Sequence, residues 1–149
     1  MANRETLRDL QTRLASRLQA ARVEGTSVSS WLAVESAGNF YLLPLGQSGE
    51  IFPWGSVQAV PYTQGWFLGV ANLRGGLHSV VDLAAFVEGT GAIRRTEQAL
   101  SQSRLVALNP LLDTNCAVLV DRLQGLRTAE AFASSSAAPS EAPAYFGHA

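Results

Sequence analysis

The residues able to carry chemistry are few, and their spacing suits none of the common reactions. Two histidines, His78 and His148, lie far apart, and a single cysteine, Cys116, accompanies them. Together they fall short of the three or four ligands a zinc site takes unless carboxylates join them. His78 reads as an exposed or hydrogen-bonded surface histidine. Gly46-Gln47-Ser48-Gly49 lacks the Gly-x-Ser-x-Gly spacing that lifts a serine nucleophile onto a sharp elbow. Gly89-Thr90-Gly91-Ala92-Ile93-Arg94 opens like a dinucleotide loop, but arginine stands where its last glycine belongs. Asp82, between Val81 and Leu83, is expected to end a strand or cap a helix. An enzyme would have to assemble its site from scattered residues. No catalytic residue, metal site or cofactor is assigned, and the pattern favours a protein that works by binding other proteins.

Composition points the same way. The 149 residues are 47% hydrophobic and 15% charged, with a mean hydropathy of +0.10. That is apolar for a free-standing monomer and implies that some apolar surface meets partners. A net charge of −1 leaves no sustained field for phosphate, which argues against nucleic acid. A lone cysteine cannot close an intramolecular disulfide, which favours a reducing compartment. Met1 to Asp9 has no apolar signal-peptide core, and no apolar run approaches the ~18 residues of a membrane span. The expectation is a cytoplasmic protein with no direct membrane insertion.

These side chains must be held by something, and the chain is mostly punctuated for strands. Residues 1–25 predict an amphipathic helix, with Leu7, Leu10, Leu14, Leu18 and Ala21 on one stripe. It either docks on the domain or is offered to a partner groove. Strands are predicted at Val28–Glu35, Phe40–Leu45, Glu50–Trp54, Trp66–Leu73, Leu77–Leu83, Arg104–Asn109, Ala117–Asp121 and Leu126–Thr128. Gly38-Asn39, Gly75-Gly76 and Pro110 to Asn115 supply turns. Ala84 to Glu88 suggests one helical turn, and Gly89 to Ser103 a loop or weak helix. Many short strands with close turns point to small barrels rather than a βαβ sheet. Residues 28–128 thus form the expected domain, followed by an Ala/Ser/Pro-rich linker and the start of a terminal element over 129–149.

The block from Gly49 to Leu83 is the sharpest feature. Trp66-Phe67-Leu68-Gly69-Val70-Ala71-Asn72-Leu73-Arg74-Gly75 predicts a hairpin with an arginine at its tip. Gly75 and Gly76 can reverse the chain at positive φ, and Asn72 can bridge backbone groups of the turn. Arg74, flanked by Leu73 and the aromatics Trp66 and Phe67, is either an interface hot spot or a solvated hairpin residue.

Glu50-Ile51, Val60-Pro61, Gly69-Val70-Ala71-Asn72-Leu73-Arg74-Gly75 and Val80-Val81-Asp82-Leu83 together resemble the CheW family of bacterial chemosensory coupling proteins. Val118-Leu119-Val120-Asp121-Arg122-Leu123 is similar to that family's second-half strand. The resemblance spans roughly Ser30 to Arg127. It implies a mainly β fold, a pair of small five-stranded SH3-like barrels with the amphipathic helix ahead of them. It also implies a non-enzymatic adaptor joining the cytoplasmic tip of a methyl-accepting chemoreceptor to the regulatory domain of a CheA-type histidine kinase. The matched positions Glu50, Gly69, Asn72, Leu73, Arg74 and Gly75 are the implied protein-binding residues, although Glu50 also suits a solvated strand end and Gly69 a bulge. The added N-terminal helix resembles the PilI-type, twitching-motility branch. Relatives continue past Phe146-Gly147 with further strands and a helix, so barrel closure is the feature this resemblance leaves open. An unrelated β-barrel module that binds peptides or domains is the alternative.

Overall fold

The structure is a computed structural model that describes Asp9, residues 11–16 and residues 30–143. Asp9 and residues 11–16 are helical, and Arg13 lies 3.7 Å from Asp9 one turn away. Of the stripe expected over 1–25, Leu14 falls in this stretch and is exposed; the rest of that helix lies outside the described residues. Residues 128–143 are largely exposed, with one 3-10 turn at Ala129–Ala131 and a reverse turn closed by Ala142 N–H donating to Pro139 O at 2.9 Å.

Ser30–Arg127 is a compact unit by itself. Its strands are β1 (Ser30–Ser36), β2 (Asn39–Pro44), β3 (Ser48–Pro53), β4 (Phe67–Leu73), β5 (Gly76–Asp82), β6 (Arg104–Leu108), β7 (Cys116–Val120) and β8, which starts at Arg122 and ends at Thr128. Two short helices, α1 (Leu83–Glu88) and α2 (Glu97–Gln102), lie between β5 and β6. The strands form two sheets, ordered β2-β1-β8 and β3-β6-β7-β5-β4. Each strand predicted from sequence is present within a few residues of its expected ends. The first sheet holds three strands among the described residues, where the resemblance implied five.

The larger sheet curls until its two edges come within side-chain reach of each other. β3 and β4 are its opposite edges, four strand spacings or about 19 Å apart if the sheet were flat. Yet Glu50 of β3 touches Arg74, the residue after β4, at 2.6 Å. The interior has contributions from all five strands: Phe52, Ala71, Leu73, Val80, Leu105, Ala107, Ala117 and Leu119. β4 does not end the hydrogen bonding on its side either, because Gln58 and Val70 exchange N–H···O bonds of 2.8 and 2.9 Å. The second core lies where the sheets meet, with Leu32 and Val34 of β1 against Leu83, Val106 and Val120.

Both predicted hairpins form, but their turns fall one residue earlier than the glycine spacing suggested. Ser36 pairs with Asn39 and Leu73 with Gly76, which leaves Ala37-Gly38 and Arg74-Gly75 as two-residue loops. All four have positive φ (50°, 81°, 53° and 80°), the geometry whose twist matches that of the flanking strands. Arg74 is therefore in the turn rather than beside it, and Gly76 opens β5. The expected strand Ala117–Asp121 is β7, which stops at Val120; Asp121 turns inward before β8 begins, so the family-like stretch Val118–Leu123 spans the end of one strand and the start of the next.

Asp121 turns because a cation waits for it. Arg95, between the two short helices, has a side chain only 6% exposed. Its Nη1 and Nη2 donate to the two oxygens of Asp82 at 2.5 and 3.3 Å, its Nε donates to Asp121 at 2.5 Å, and Nη2 reaches Ser36 Oγ at 3.4 Å. Asp82, itself fully buried, also caps α1 by accepting from Ala85 N–H. The other oxygen of Asp121 accepts from Ala37 N–H at 2.7 Å and so holds the strained first residue of the β1–β2 turn.

Candidate functional site

One rim of the larger sheet brings together Glu50, Asn72, Arg74 and Gly75 of the sequence-derived site residues. Asn72 ends on the outer face of β4, and its Oδ1 accepts from Gly75 N–H at 2.9 Å, the turn bridge expected of it. That bond ties the two-residue loop down and presents Arg74 outward, 75% exposed. Glu50 arrives from the other edge. The pairing of β3 with β6 slips between Ser48 and Ile51, so Gly49 and Glu50 fall in a bulge. A bulge of this kind re-aims the side chain it carries. A Cβ at Gly49 would come within 3.0 Å of the carbonyls of Ala107 and Leu108, so a glycine is what the close approach admits. Glu50, 42% exposed, then closes on Arg74.

The other three expected residues hold structural positions. Leu73 is buried in the barrel interior and supports the turn from beneath. Gly75 supplies positive φ. Gly69, at φ +140°, faces the backbone of Gln58 so closely that a Cβ would lie 2.1 Å from that carbonyl oxygen. The register of β4 also slips between Phe67 and Gly69, as a bulge requires. The aromatics Trp66 and Phe67 do not flank Arg74. They are at the far end of β4, roughly 20 Å of strand away, where Trp66 makes edge contacts to Phe67 and Phe86 with ring centroids 6.3 and 5.1 Å apart.

The residues weighed for chemistry stay dispersed. His78 Nδ1 is 3.0 Å from Gly76 O, a hydrogen-bonded histidine on β5. Ser48 Oγ donates to Pro44 O. Cys116 is half-buried, and burial pushes its thiol pKa up, away from the thiolate a nucleophile needs. Among the described residues no three His, Cys, Asp or Glu side chains gather as metal ligands. A cavity of about 250 Å³ opens beside Trp54, Val57, Leu68, Ile93, Leu100 and Leu119. Its one charged neighbour, Arg95, already has its guanidinium bound to two carboxylates. No helix among the described residues is long and apolar enough to cross a membrane.

Sequence reasoning missed Arg95. Its neighbours Ile93, Arg94 and Thr96 give no periodic signal, and one of two adjacent arginines being buried is not visible without its partners. Asp82 was the available clue, since a carboxylate between Val81 and Leu83 must find a partner if both neighbours are core residues.

Residues 30–146 match the family described as "CheW-like domain". A relative, "Protein PilI" of Pseudomonas aeruginosa, is 31% identical over 117 residues, which cover 77% of this chain and 61% of PilI. A solved structure, the scaffolding protein TtCheW from Thermoanaerobacter tengcongensis, aligns with a TM-score of 0.56 at 22% identity. That alignment covers 67% of this chain and 64% of the other. The chain thus spans under two thirds of the length of both, and the TtCheW likeness is one of fold.

Proposed function

The chain belongs to the CheW-like domain family, and on that premise we propose that it is a non-enzymatic, cytoplasmic signalling adaptor. It couples the cytoplasmic tip of a methyl-accepting chemoreceptor to the regulatory domain of a CheA-type histidine kinase. The similarity to PilI favours the branch whose output is type IV pilus twitching motility over flagellar chemotaxis.

The observation that carries this reading is the state of Arg74. A non-glycine residue at φ 53° pays a conformational penalty of about 1–3 kcal/mol. Glycine or asparagine would relieve it at this turn position. The ion pair with Glu50 does not explain the choice, because exposed pairs contribute only about 0–1 kcal/mol. An exposed arginine in a turn tied down by Asn72, met by Glu50 from a bulged partner strand, supports a side chain kept for what it meets; strain by itself does not single it out, since Ala37 holds the matching turn position at φ 50°. Glu50 beside it supplies the opposite charge, so the rim can read a partner that carries both signs. Interfaces of about 800 Å² per partner or less would suit a component that engages two proteins at once.

Calorimetry against a receptor-tip fragment and a CheA-type regulatory domain from the same organism tests the proposal. Micromolar binding by the wild type, weakened at least tenfold in Arg74→Ala for one of the two partners, is expected. Full retention of both affinities in the variant would remove the site from this rim. A folded wild type that binds neither partner would overturn the coupling role.

A further inference from the structure

An adaptor of two sheets passes a displacement from one to the other only if the sheets move together. The apolar layer between them, Leu32 and Val34 against Leu83, Val106 and Val120, makes them stack but does not set how they are aligned. Apolar burial is non-directional, and aliphatic surfaces can slide by part of a side chain at little cost. Hydrogen bonds have direction, and a guanidinium is a flat, rigid fork of donors.

Arg95 occupies that junction. Asp82 ends β5 of the five-stranded sheet, and Ser36 ends β1 of the three-stranded one. Asp121 is the residue at which the chain leaves β7 and enters β8, passing from one sheet to the other. One side chain binds all three. Asp121 extends the grip to Ala37 N–H in the β1–β2 turn, and its own N–H donates to Glu35 O at 2.8 Å. An exposed tie from Asn39 to Glu88 at 2.8 Å runs nearby, linking β2 to the end of α1.

We propose that Arg95 is a latch that fixes the alignment of the two sheets and carries displacement between them, a positioning residue for coupling rather than a contact for either partner. The transmission half of this rests on the adaptor reading above; the latch itself does not. Arg95 is too buried to touch a protein partner, and its carboxylates are used up within the fold. Its removal should therefore act on the junction and leave the Glu50–Arg74 rim, at the opposite end of β5, as it is.

The test uses the full chain carrying Arg95→Met, which keeps length but not donors, with Arg95→Lys as a second variant that retains charge but cannot span both carboxylates. Amide hydrogen exchange is read at Ala37 and Asp121 and compared with Val80, Val106 and Ala117. Exchange at Ala37 and Asp121 should rise on the order of tenfold more than at the three sheet amides, whose own rise reports the general loss of stability from leaving the buried Asp82 without its cation. Arg95→Lys should give a smaller rise at the same two amides. No rise in either variant, or an equal rise at all five amides, would overturn the latch. In a reconstituted receptor–kinase assembly, Arg95→Met should bind each partner with wild-type affinity while receptor control of kinase activity falls several-fold. Unchanged control despite loosened Ala37 and Asp121 would refute transmission through the latch. Absence of wild-type binding to both partners would refute the adaptor reading and leave the exchange result to decide the latch alone.

Discussion

Gly69→Ala is the substitution whose consequence the structure fixes most tightly. Two separate terms oppose it. The backbone at φ +140° is one that L side chains rarely adopt, at a cost of about 1–3 kcal/mol. The new methyl would also lie 2.1 Å from Gln58 O, a backbone atom that cannot swing aside as a side chain would. Moving residue 58 breaks the paired bonds with Val70, at roughly 1 kcal/mol each. The sum is a loss of about 3–5 kcal/mol, a large part of the ~5–15 kcal/mol that holds a typical domain. With m values of ~1–3 kcal/mol/M, the urea midpoint should fall by at least about 1 M. Gly75→Ala is the matched control: positive φ again, at 80°, but open space around the missing Cβ. It should lose only about 1–2 kcal/mol, from backbone strain alone. Equilibrium urea unfolding followed by tryptophan fluorescence measures both. Equal losses in the two variants, or under about 1.5 kcal/mol for Gly69→Ala, would refute the claim that the Gln58 approach is rigid.

Leu105→Ala removes a side chain that is 1% exposed at the centre of the barrel interior, and should lower stability by about 2–5 kcal/mol in the same unfolding assay. Arg74→Ala and Glu50→Ala should each shift stability by less than about 1 kcal/mol, because the pair is largely solvated; a larger drop would mean the ion pair is needed to close the sheet. Cys116 should react with a disulfide reagent more slowly than a free thiol at pH 8, since burial raises its pKa and thins the reactive thiolate at any given pH. Its rate should climb as pH rises past the ordinary thiol range, and a rate equal to that of glutathione at pH 8 would contradict the burial.

Most strands were legible because they are short, apolar and set off by Gly, Pro or Asn, and the hairpin at Arg74 could be located to within one residue; β8, polar and exposed with its glycine inside, was legible only over its last three residues. What displaced both turns by that residue was pairing: Ser36 with Asn39 and Leu73 with Gly76 are cross-strand facts, and turn chemistry alone permits either placement. The candidate rim was half visible. Glu50 and Arg74 could be named, but their contact depends on a sheet edge curling round to meet the other edge, and nothing local reports that. The aromatics Trp66 and Phe67 misled for the converse reason, being near Arg74 in sequence while an extended strand carries them away. Arg95 was invisible because its three partners come from residues 36, 82 and 121.

The five-stranded sheet has one parallel seam, in which Ser79 lies opposite Cys116 and Asp82 opposite Leu119. Its remaining strand pairs are antiparallel, and β4–β5 and β6–β7 are local hairpins that can close in microseconds. The seam instead waits for residues 83–115 to be laid out, so its loop-closure entropy is met late and without a turn to guide it. During synthesis β5 emerges long before its neighbour β7, and its apolar edge stays open meanwhile. A nascent chain halted between the two would present that edge to chaperones or to other copies of itself, which makes the β5–β7 seam the step where yield is won or lost.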